Sequence, residues 1–286
     1  MTYAVLGPER PGRPAPAELT ARRAALADWA PDAGPDVTVI DTPIGGVPCR
    51  TISAVEPIAT VLYLHGGGYR LGTAAAYSGL AGALARAAGA EVVVVDYRLA
   101  PEHPFPAALS DAAAVHDALR AADRPLVLAG DSAGGGLAAA LLALGIRAPA
   151  GVALLSPWLD LRCDSPTFAS RAETDPLFPL SSAQEAADQY LQGHRPDDPL
   201  ASPLRADLDR FPPALVFASA AETLLGDALT LTQRLADAAR AVTLRVVPGM
   251  AHAWPVVHPD LPESSAVVAE VGAFVRRLAS EEPRHG

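Results

Sequence analysis

Ser132 lies between Gly130 and Gly134, where an apolar run gives way to an alanine-rich stretch. Gly-x-Ser-x-Gly spacing at the junction of a buried strand and a helix is typical of a nucleophile elbow, a tight turn that exposes the serine hydroxyl. The serine takes a positive φ there, and neighbouring chain passes so close that only glycine fits two residues to either side. The hydroxyl then lies at a helix N-terminus, where the helix dipole favours a developing anion. We therefore predict Ser132 as the nucleophile of an acyl transfer.

A second glycine cluster, His65–Gly68, follows the apolar run Val61–Leu64. Acyl transfer creates a tetrahedral oxyanion, and the backbone N–H groups of glycines can approach such an anion closely. A His-Gly-Gly-Gly sequence ahead of a nucleophile elbow is typical of an oxyanion loop. The predicted oxyanion donors are the amides of Gly67, Gly68 and Ala133. The predicted supports of the loop are His65, which we expect to shape it by hydrogen bonding rather than act as a base, and Gly66.

A serine nucleophile needs a base, and the base needs a carboxylate to orient it. Behind a nucleophile elbow the three residues follow one another as serine, acid and histidine. Of the seven histidines, His252 occupies the loop after the last apolar run, where the base is expected. His258 lies further on among prolines, and His285 is in the tail. We predict His252 as the base.

The acid should follow the preceding apolar run, Ala214–Ala218, and two carboxylates are candidates. Glu222 sits just past the end of that run, in the expected loop. Asp227 lies more than a turn into the following predicted helix, from where the histidine is harder to reach. We favour Glu222 as the triad acid and expect Asp227 to be a carboxylate of the helix surface or one that braces a loop.

Eight runs along the chain supply the strands that would position these residues. Val37–Ile40 and Val47–Ser53 flank a Gly-Gly turn and predict an antiparallel pair. The other six are short, continuous and mostly β-branched or leucine, as expected of strands buried on both faces. They are Ala59–Leu64, Glu91–Asp96, Leu126–Ala129, Val152–Leu155, Ala214–Ala218 and Val242–Val247.

Alanine-rich helical stretches alternate with these runs. They are Ala15–Ala30, Tyr77–Ala88, Pro106–Ala121, Ser132–Leu144, Thr223–Ala239 and Glu263–Leu278. The alternation predicts an α/β fold, with a mostly parallel eight-stranded sheet and helices on both of its faces. The 286 residues, half of them apolar, are enough for one large core, so we expect a single domain over residues 1–286.

The stretch from Pro157 to Pro213 breaks the alternation. It is rich in prolines and scattered acids, contains no buried-strand signal and is too long for an ordinary connection. We predict that an insertion at about 157–212, together with the N-terminal segment at about 1–35, forms a helical cap.

Several large apolar side chains near these motifs are candidates for a substrate pocket. They are Tyr69, Trp158, Phe168, Leu177 and Phe178. The same side chains are equally well explained as ordinary core, and the sequence leaves both interpretations open.

Five motifs together resemble the hormone-sensitive-lipase-like family of α/β-hydrolases, the bacterial type IV esterases. They are His65–Gly68, Asp96–Glu102 with the following His103–Ala107, Gly130–Gly135, Glu222–Asp227 and Gly249–Trp254. These motifs span nearly the whole chain in the family's order, and together they are highly specific.

The resemblance implies a capped α/β-hydrolase fold. It also implies a serine carboxylesterase that hydrolyses short-chain acyl esters through an acyl-enzyme intermediate, without a cofactor. In the family the segment that matches Asp96–Glu102 braces the active-site face, which implies that its charges are structural. Many members carry aspartate where Glu222 stands, within an Asp-Pro-Leu motif, and this chain resembles the subgroup with Glu-x-Leu.

Composition excludes several other classes of protein. The chain contains no lysine, which excludes a Schiff-base nucleophile, a pyridoxal phosphate anchor and a phosphate-loop lysine. A formal charge of −10 at pH 7 argues against nucleic acid or an anionic membrane as a partner. Cys49 and Cys163 cannot supply a four-ligand zinc site, and no His-Glu-x-x-His spacing is present. We therefore expect no metal and no cofactor.

We expect a cytoplasmic protein whose partner is a small-molecule ester. Residues 1–16 lack the apolar core of a signal peptide, and no run approaches the roughly 18 apolar residues of a membrane span. The two cysteines suit a reducing compartment. The last strand of such a sheet has a free edge, which could pair with a second copy in a homodimer.

Two alternatives stay open at the level of sequence. The same triad could serve a deacetylase, a lactonase or an amidase that acts on a specialised metabolite. The fold can also serve as a non-catalytic ligand-binding protein, as in the plant gibberellin receptors, which resemble the family but lack a working histidine. The presence of His252 argues against this second alternative.

Overall fold

An eight-stranded sheet forms the centre of the computed structural model, which describes residues 4–27, 29–122 and 124–281. The strands are β1 (Val37–Ile44), β2 (Val47–Ala54), β3 (Ala59–Leu64), β4 (Ala90–Val95), β5 (Leu126–Asp131), β6 (Gly151–Leu155), β7 (Ala214–Ser219) and β8 (Val242–Val247). Their order across the sheet is β1-β2-β4-β3-β5-β6-β7-β8. Strands β3 to β8 run parallel to one another, whereas β2 is antiparallel to both β1 and β4. The predicted, mostly parallel sheet is confirmed.

The described residues contain nine α-helices, of which α1 precedes the sheet and the others connect or follow its strands. They are α1 (Ala17–Ala27), α2 (Ser78–Ala88), α3 (Ala107–Leu119), α4 (Ser132–Ala143), α5 (Thr167–Ser170), α6 (Leu180–Leu191), α7 (Leu225–Asp237), α8 (Trp254–Val257) and α9 (Pro262–Ser280). Short 3₁₀ turns occur at Ala4–Leu6, Ala75–Tyr77 and Pro203–Arg205. None of the helices in the described part of the chain combines the length and apolarity needed to cross a membrane.

Alternate residues of the central strands feed two separate cores, one on each face of the sheet. On one face Val61 and Tyr63 pack with the apolar sides of α2 and α9. On the other face Leu62 and Leu64 pack with α3, α4 and α7. Burial on both faces explains why these strands are continuous apolar runs in the sequence.

The strand β8 is less buried than the sequence predicts. A continuous apolar run predicts burial on both faces, but every residue of β8 is partly or fully exposed, and Val246 is 42% exposed. Among the described residues β8 pairs with β7 alone, so its outer side faces solvent. The expectation is wrong for β8 because Thr243 and Arg245 interrupt its apolar residues, an alternation typical of a strand with one exposed face, and because β8 lies at the edge of the sheet.

The segment Asp96–Glu102 ties the N-terminal part of the chain to the sheet. Arg98 pairs with Glu9 at 2.7 Å and with Asp111 of α3 at 2.8 Å. Glu102 pairs with Arg23 of α1 at 2.6 Å. These charges make structural ion pairs, as the family resemblance implies.

The proposed cap consists of the segment at about 1–35 and the insertion at about 157–212. Helices α5 and α6 lie in the insertion, and α1 lies in the N-terminal segment. Arg23 of α1 donates hydrogen bonds to the carbonyl oxygens of Arg70 and Ala100, which holds α1 against the body. Residues 1–3 and 28 of the proposed cap are outside the described residues.

Candidate active site

The turn between β5 and α4 has the geometry of a nucleophile elbow. Ser132 is the first residue of α4 and has a φ of 50°, in the left-handed region. A Cβ on Gly130 would lie 2.5 Å from the carbonyl oxygen of Gly134, and a Cβ on Gly134 would overlap the carbonyl oxygen of Leu64. Backbone atoms cannot yield as a flexible side chain can, so both positions require glycine. The structure therefore confirms that only glycine fits two residues to either side of Ser132.

Three side chains at the carboxyl edge of the sheet form one continuous hydrogen-bonded chain. Nε2 of His252 lies 2.9 Å from Oγ of Ser132, and Nδ1 of His252 lies 2.8 Å from Oε2 of Glu222. Ser132 follows β5, Glu222 follows β7 and His252 follows β8, and these parallel strands all end at the same edge. The fold thus brings Ser132 and Glu222, which are 90 positions apart in the sequence, within hydrogen-bonding distance of the same residue, His252.

The triad is almost completely buried, and its acid is anchored on the side away from the histidine. Ser132 is 5% exposed, His252 7% and Glu222 0%. Oε1 of Glu222 accepts a hydrogen bond from the Ser219 N–H at 2.9 Å. Glu222 can therefore accept a hydrogen bond from the Nδ1–H of His252, which leaves Nε2 free to accept the hydroxyl proton of Ser132.

Opposing effects act on the charge of His252. Burial disfavours the imidazolium form. The hydrogen bond that His252 donates to Glu222 and the charges of Glu222, Asp175 and Asp131 together outweigh burial, and they raise the pKa of His252 above its ordinary value. A carboxylate environment of this kind stabilises the imidazolium that forms when the serine gives up its proton.

Asp227, the other candidate acid, occupies a different position. Its Oδ2 accepts hydrogen bonds from the N–H groups of Leu159 at 2.7 Å and Asp160 at 3.1 Å. Burial is the main cause that raises the pKa of Asp227 to about 7. Because α7 begins at Leu225 rather than at Thr223, Asp227 lies in the first turn of the helix and not beyond it, which corrects the sequence-based placement. It braces the loop after β6, one of the two roles expected for it.

The loop His65–Gly68 follows β3 and lies beside the elbow. Gly67 has a φ of 113° and Gly68 a φ of 62°, both in the region that favours glycine. Among the described residues, neither the Gly67 amide nor the Gly68 amide has a hydrogen-bond acceptor. Ala133 lies in the first turn of α4, where amides have no partner within the helix. These three N–H groups are thus free to bind an anion, and their assignment as oxyanion donors stays a prediction.

His65 and Gly66 fix this loop through contacts with Tyr97 and Asp131. The His65 ring is fully buried, with Nδ1 2.8 Å from the carbonyl oxygen of Gly66, and it stacks on Tyr97 with ring centroids 4.2 Å apart. Tyr97 also donates a hydrogen bond to the His65 carbonyl oxygen at 2.7 Å. His65 is thereby held in place by Gly66 and Tyr97, and the triad hydrogen bonds do not include it.

Asp131 is a residue that sequence reasoning missed. Its Oδ1 accepts hydrogen bonds from the Gly66 N–H and the Tyr63 hydroxyl, both at 3.0 Å, and its Oδ2 accepts one from the Tyr77 hydroxyl at 3.0 Å. Burial raises the pKa of Asp131 to about 6, against the opposing effect of these hydrogen bonds. Asp131 thus connects the residue before the nucleophile to the oxyanion loop. Its position next to Ser132 was the only signal available in the sequence.

The five pocket candidates fall into two groups. Tyr69, Trp158 and Phe178 form a connected aromatic cluster, and Phe178 stacks over the His252 ring with centroids 5.4 Å apart and planes inclined by 17°. Phe168 is a buried core residue, whereas Leu177 is half exposed. A role in a substrate pocket is supported by contact with the triad only for the aromatic cluster, and it stays a prediction for all five.

Other groups of reactive side chains are structural in the described residues. Cys49 and Cys163 are both buried free thiols, and burial raises the pKa of Cys49 to about 11 and that of Cys163 to about 12. Such thiols are inert. In the part of the chain that the structure describes, no cluster of three His, Cys, Asp or Glu side chains has a metal-binding arrangement. His285 of the tail lies outside that part.

The fold and the triad geometry define an α/β-hydrolase, and comparison with known proteins agrees. A family model described as the alpha/beta hydrolase fold matches residues 61–256. An acetyl-hydrolase from Streptomyces hygroscopicus is 42% identical over 229 residues, which cover 78% of this chain and 77% of that protein. The crystal structure of EstE5 is 34% identical with a TM-score of 0.88, covering 98% of this chain and 97% of the other. An esterase of the bacterial hormone-sensitive lipase family is 37% identical with a TM-score of 0.87, covering 93% of each chain.

The chain belongs to this α/β-hydrolase family, in its bacterial hormone-sensitive-lipase-like branch. The resemblance drawn from the five sequence motifs is confirmed, and so is the predicted fold.

Proposed function

We propose that the protein is a serine carboxylesterase that hydrolyses short-chain acyl esters through an acyl-enzyme intermediate. One observation carries the proposal, the unbroken hydrogen-bonded chain from Glu222 through His252 to Ser132. Relatives named acetyl-hydrolase, esterase and carboxylesterase support the same reaction class.

Acylation is the first half of the proposed reaction. Oγ of Ser132 attacks the ester carbonyl carbon while its proton passes to Nε2 of His252, and the carbonyl oxygen becomes an oxyanion. The amides of Gly67, Gly68 and Ala133 stabilise that charge. The intermediate collapses by breaking the bond to the alkoxy oxygen, which takes the proton from Nε2 and leaves as an alcohol.

Deacylation repeats these steps with water as the nucleophile. Water gives one proton to Nε2 of His252 and attacks the acyl carbonyl carbon, and the same amides hold the second oxyanion. Collapse breaks the bond to Oγ of Ser132, which takes the proton back from Nε2. A carboxylic acid leaves, and the free enzyme is restored.

The aromatic cluster beside the triad supports a preference for short acyl groups. Phe178 covers the His252 ring, and Trp158 packs edge-to-face against Phe178 with centroids 5.1 Å apart. Both side chains are buried, and the backbone N–H of Trp158 donates a hydrogen bond to the Ser132 carbonyl oxygen at 2.9 Å, which fixes the main chain that carries the indole ring. Rigid rings this close to the nucleophile leave little room for a long chain.

The test is hydrolysis of p-nitrophenyl esters of increasing acyl length by wild type and by Ser132→Ala. We expect activity that is highest for the shortest acyl groups, and a loss of about 10⁶ in kcat for the variant. Ser265→Ala, which changes an exposed serine of α9, serves as the control and should match wild type. Retained turnover in Ser132→Ala would contradict the proposal.

A second candidate, deacetylation of a larger molecule, is favoured by the 42% identity to an acetyl-hydrolase. The same triad would act, with an acetyl group on serine and a bulky alcohol or amine leaving. A matched acetate ester and acetamide of one scaffold differ only in the leaving group and so distinguish an ester hydrolase from an amidase. A lactone, whose acyl group and alcohol form one ring, tests lactonase activity separately. A rate on a bulky acetylated scaffold well above that on small acetates would favour this second candidate.

The location and the assembly state are further parts of the proposal. Two buried free thiols suit the reducing cytoplasm, which we propose as the location of the protein. The open edge of β8 could pair with the same edge of a second copy, so we propose a homodimer. Sedimentation at several protein concentrations tests the assembly, and a monomer throughout would exclude it.

A further inference from the structure

The insertion meets the acid loop of the triad through one buried carboxylate, that of Asp175. Its Oδ2 accepts a hydrogen bond from the Thr223 N–H at 2.9 Å and lies 3.1 Å from the Thr223 hydroxyl. Its Oδ1 accepts hydrogen bonds from the N–H groups of Leu177 and Phe178, both at 3.2 Å. One side chain therefore fixes both the turn that precedes α6 and the residue after Glu222.

Two threonine hydroxyls close the same contact. The hydroxyl of Thr174 donates to the Ala221 carbonyl oxygen at 2.7 Å. The one proton of the Thr223 hydroxyl is shared between the Phe178 carbonyl oxygen, at 2.9 Å, and Oδ2 of Asp175. Residues 174–178 are thus bonded to residues 221–223 on both sides of Asp175. We call these two segments the cap–acid junction.

Asp175 has no cationic partner within the described residues. It is 2% exposed, and its hydrogen bonds there come from three backbone N–H groups and a threonine hydroxyl. No described arginine or histidine forms an ion pair with it. A buried, unpaired carboxylate is costly to keep, and a purely structural contact could use a neutral side chain.

The cap–acid junction touches the triad at two places. Thr223 directly follows Glu222, so fixing its N–H restrains the backbone that carries the acid. Phe178 directly contacts the base through ring stacking on His252. The acid and the covering ring are positioned by the same carboxylate.

We propose that Asp175 is a positioning residue that couples the cap to the triad, because its carboxylate holds both the backbone that follows Glu222 and the segment that carries Phe178 over His252. The proposal rests on the proposed esterase function and deepens it. Holding Glu222 and Phe178 together keeps the histidine oriented through both proton transfers. Opening the junction would release both at once.

The charged groups that act on His252 come from three elements. Glu222 lies on the loop after β7, Asp175 precedes α6, and Asp131 ends β5. All three are acidic and act to raise the pKa of His252, whereas burial acts to lower it. Removing the charge of Asp175 should therefore lower the pKa of His252 and leave the other two contributions in place.

The test compares Asp175→Asn with wild type on p-nitrophenyl acetate over a range of pH. Asparagine must turn its NH₂ group either towards Thr223 or towards the N–H groups of Leu177 and Phe178, so one half of the junction is lost. We expect kcat to fall by about 10-fold to 100-fold, with KM changed much less, because small displacements of catalytic groups act on the transition state. We also expect the acid limb of kcat/KM to move to lower pH.

Two further variants separate positioning from general stability. Asp198→Asn changes another carboxylate of the insertion, which accepts a hydrogen bond from the Leu200 N–H at 2.9 Å, and it should leave the acid limb in place. Asp175→Glu keeps the charge and should return the acid limb towards that of wild type. If Asp175→Asn does not fold, Thr223→Val replaces it and should lower kcat several-fold without moving the acid limb, because the charge is kept.

A second measurement is independent of turnover. The proton on Nδ1 of His252 gives a downfield NMR signal whose titration reports the pKa of the imidazole, and Asp175→Asn should shift that titration to lower pH. An unchanged titration and acid limb in Asp175→Asn would overturn the proposal, even if stability fell. An unchanged kcat in Thr223→Val would overturn it when that variant is the one used. If the wild-type protein hydrolyses no ester but Asp175→Asn still shifts the NMR titration of His252, the esterase function is contradicted and the coupling between Asp175 and His252 stays supported.

Discussion

The two carboxylate oxygens of Glu222 have different partners: one is hydrogen-bonded to His252 and the other to the backbone of Ser219. Oε2 lies 2.8 Å from Nδ1 of His252, and Oε1 accepts the Ser219 N–H at 2.9 Å. The N–H of a backbone amide can only donate, so Oε1 has to be an acceptor. The acid therefore cannot be exchanged for its amide without consequences for the histidine.

Glu222→Gln should reduce kcat by about 10⁴ while leaving the fold intact. The glutamine oxygen has to face Ser219, which turns its NH₂ group towards Nδ1 of His252. The histidine is then forced to carry its proton on Nε2, where it cannot accept one from Ser132. Steady-state kinetics on p-nitrophenyl acetate, with thermal unfolding to verify the fold, measure the effect. A loss of less than 10-fold would show that another carboxylate orients the histidine.

Asp227→Asn should keep kcat within a few-fold of wild type. Both hydrogen bonds to Asp227, from Leu159 and Asp160, use the same oxygen, Oδ2. An asparagine oxygen at that site accepts both, and its NH₂ group takes the place of Oδ1. The same assay compares this variant with Glu222→Gln, and a larger loss in Asp227→Asn would reverse the assignment of the triad acid.

The same substitution should change how stability depends on pH. With a pKa of about 7 when folded, against an ordinary value of 3.8, Asp227 keeps in the folded protein a proton that the unfolded chain releases. Stability should therefore fall as pH rises between those two values, since the folded state binds more protons there. Asp227→Asn lacks this contribution, so its melting temperature should decline less than that of wild type between pH 5 and pH 8. Parallel curves for the two proteins would contradict the raised pKa.

The sequence predicts the triad well because each residue follows a strand end. Ser132 has the elbow spacing, and His252 and Glu222 follow the last two strands in the expected order, so few other candidates remained. Neighbouring backbone lies so close to positions 130 and 134 that both must be glycine, and a glycine can be recognised in the sequence. The order of the triad residues along the chain and the need for glycine beside Ser132 are both properties of the sequence, so they can be predicted without a structure.

Contacts between distant segments could not be read in the same way. Asp131 looked like a spacer in the elbow motif, because its partners Tyr63 and Tyr77 lie on other elements. Asp175 carried no signal, since its role depends on how the insertion folds back onto Thr223. The exposure of β8 follows in part from its position at the edge of the sheet, which the sequence does not show, although Thr243 and Arg245 already indicate an exposed face.

The pH dependence of kcat/KM in wild type should show an acid limb above the ordinary histidine value of about 6.5. Only neutral His252 can accept the serine proton, and its pKa is raised by the carboxylate charges that outweigh burial. Activity should therefore be lost as pH falls through that raised pKa and be constant above it until the ester itself hydrolyses. Rates at constant ionic strength from pH 5 to pH 9 measure the limb. A midpoint below 6.5 would mean that burial dominates.

Asp131→Asn should lower kcat by up to about 10², with little change in KM, because it loosens the support of the oxyanion loop. Asp131 accepts hydrogen bonds from Tyr63, Gly66 and Tyr77, and the Gly66 N–H also donates to the Tyr77 hydroxyl at 2.9 Å. The neutral asparagine amide accepts hydrogen bonds more weakly than a carboxylate does, so Gly66 is held less firmly. Loss of a single oxyanion donor costs about 10²–10³ in kcat, which sets the upper limit for an indirect effect.

Tyr63→Phe is the matched control for that variant, because it removes one hydroxyl from Asp131 and leaves the hydrogen bond to Gly66 in place. Its kcat should fall much less than that of Asp131→Asn when both are measured above pH 7.5, where a carboxyl with a pKa of about 6 is ionised. An amide that has moved stabilises the oxyanion less but binds the uncharged ester equally well, so the loss should appear in kcat alone. A rise in KM at constant kcat would instead place Asp131 in substrate binding.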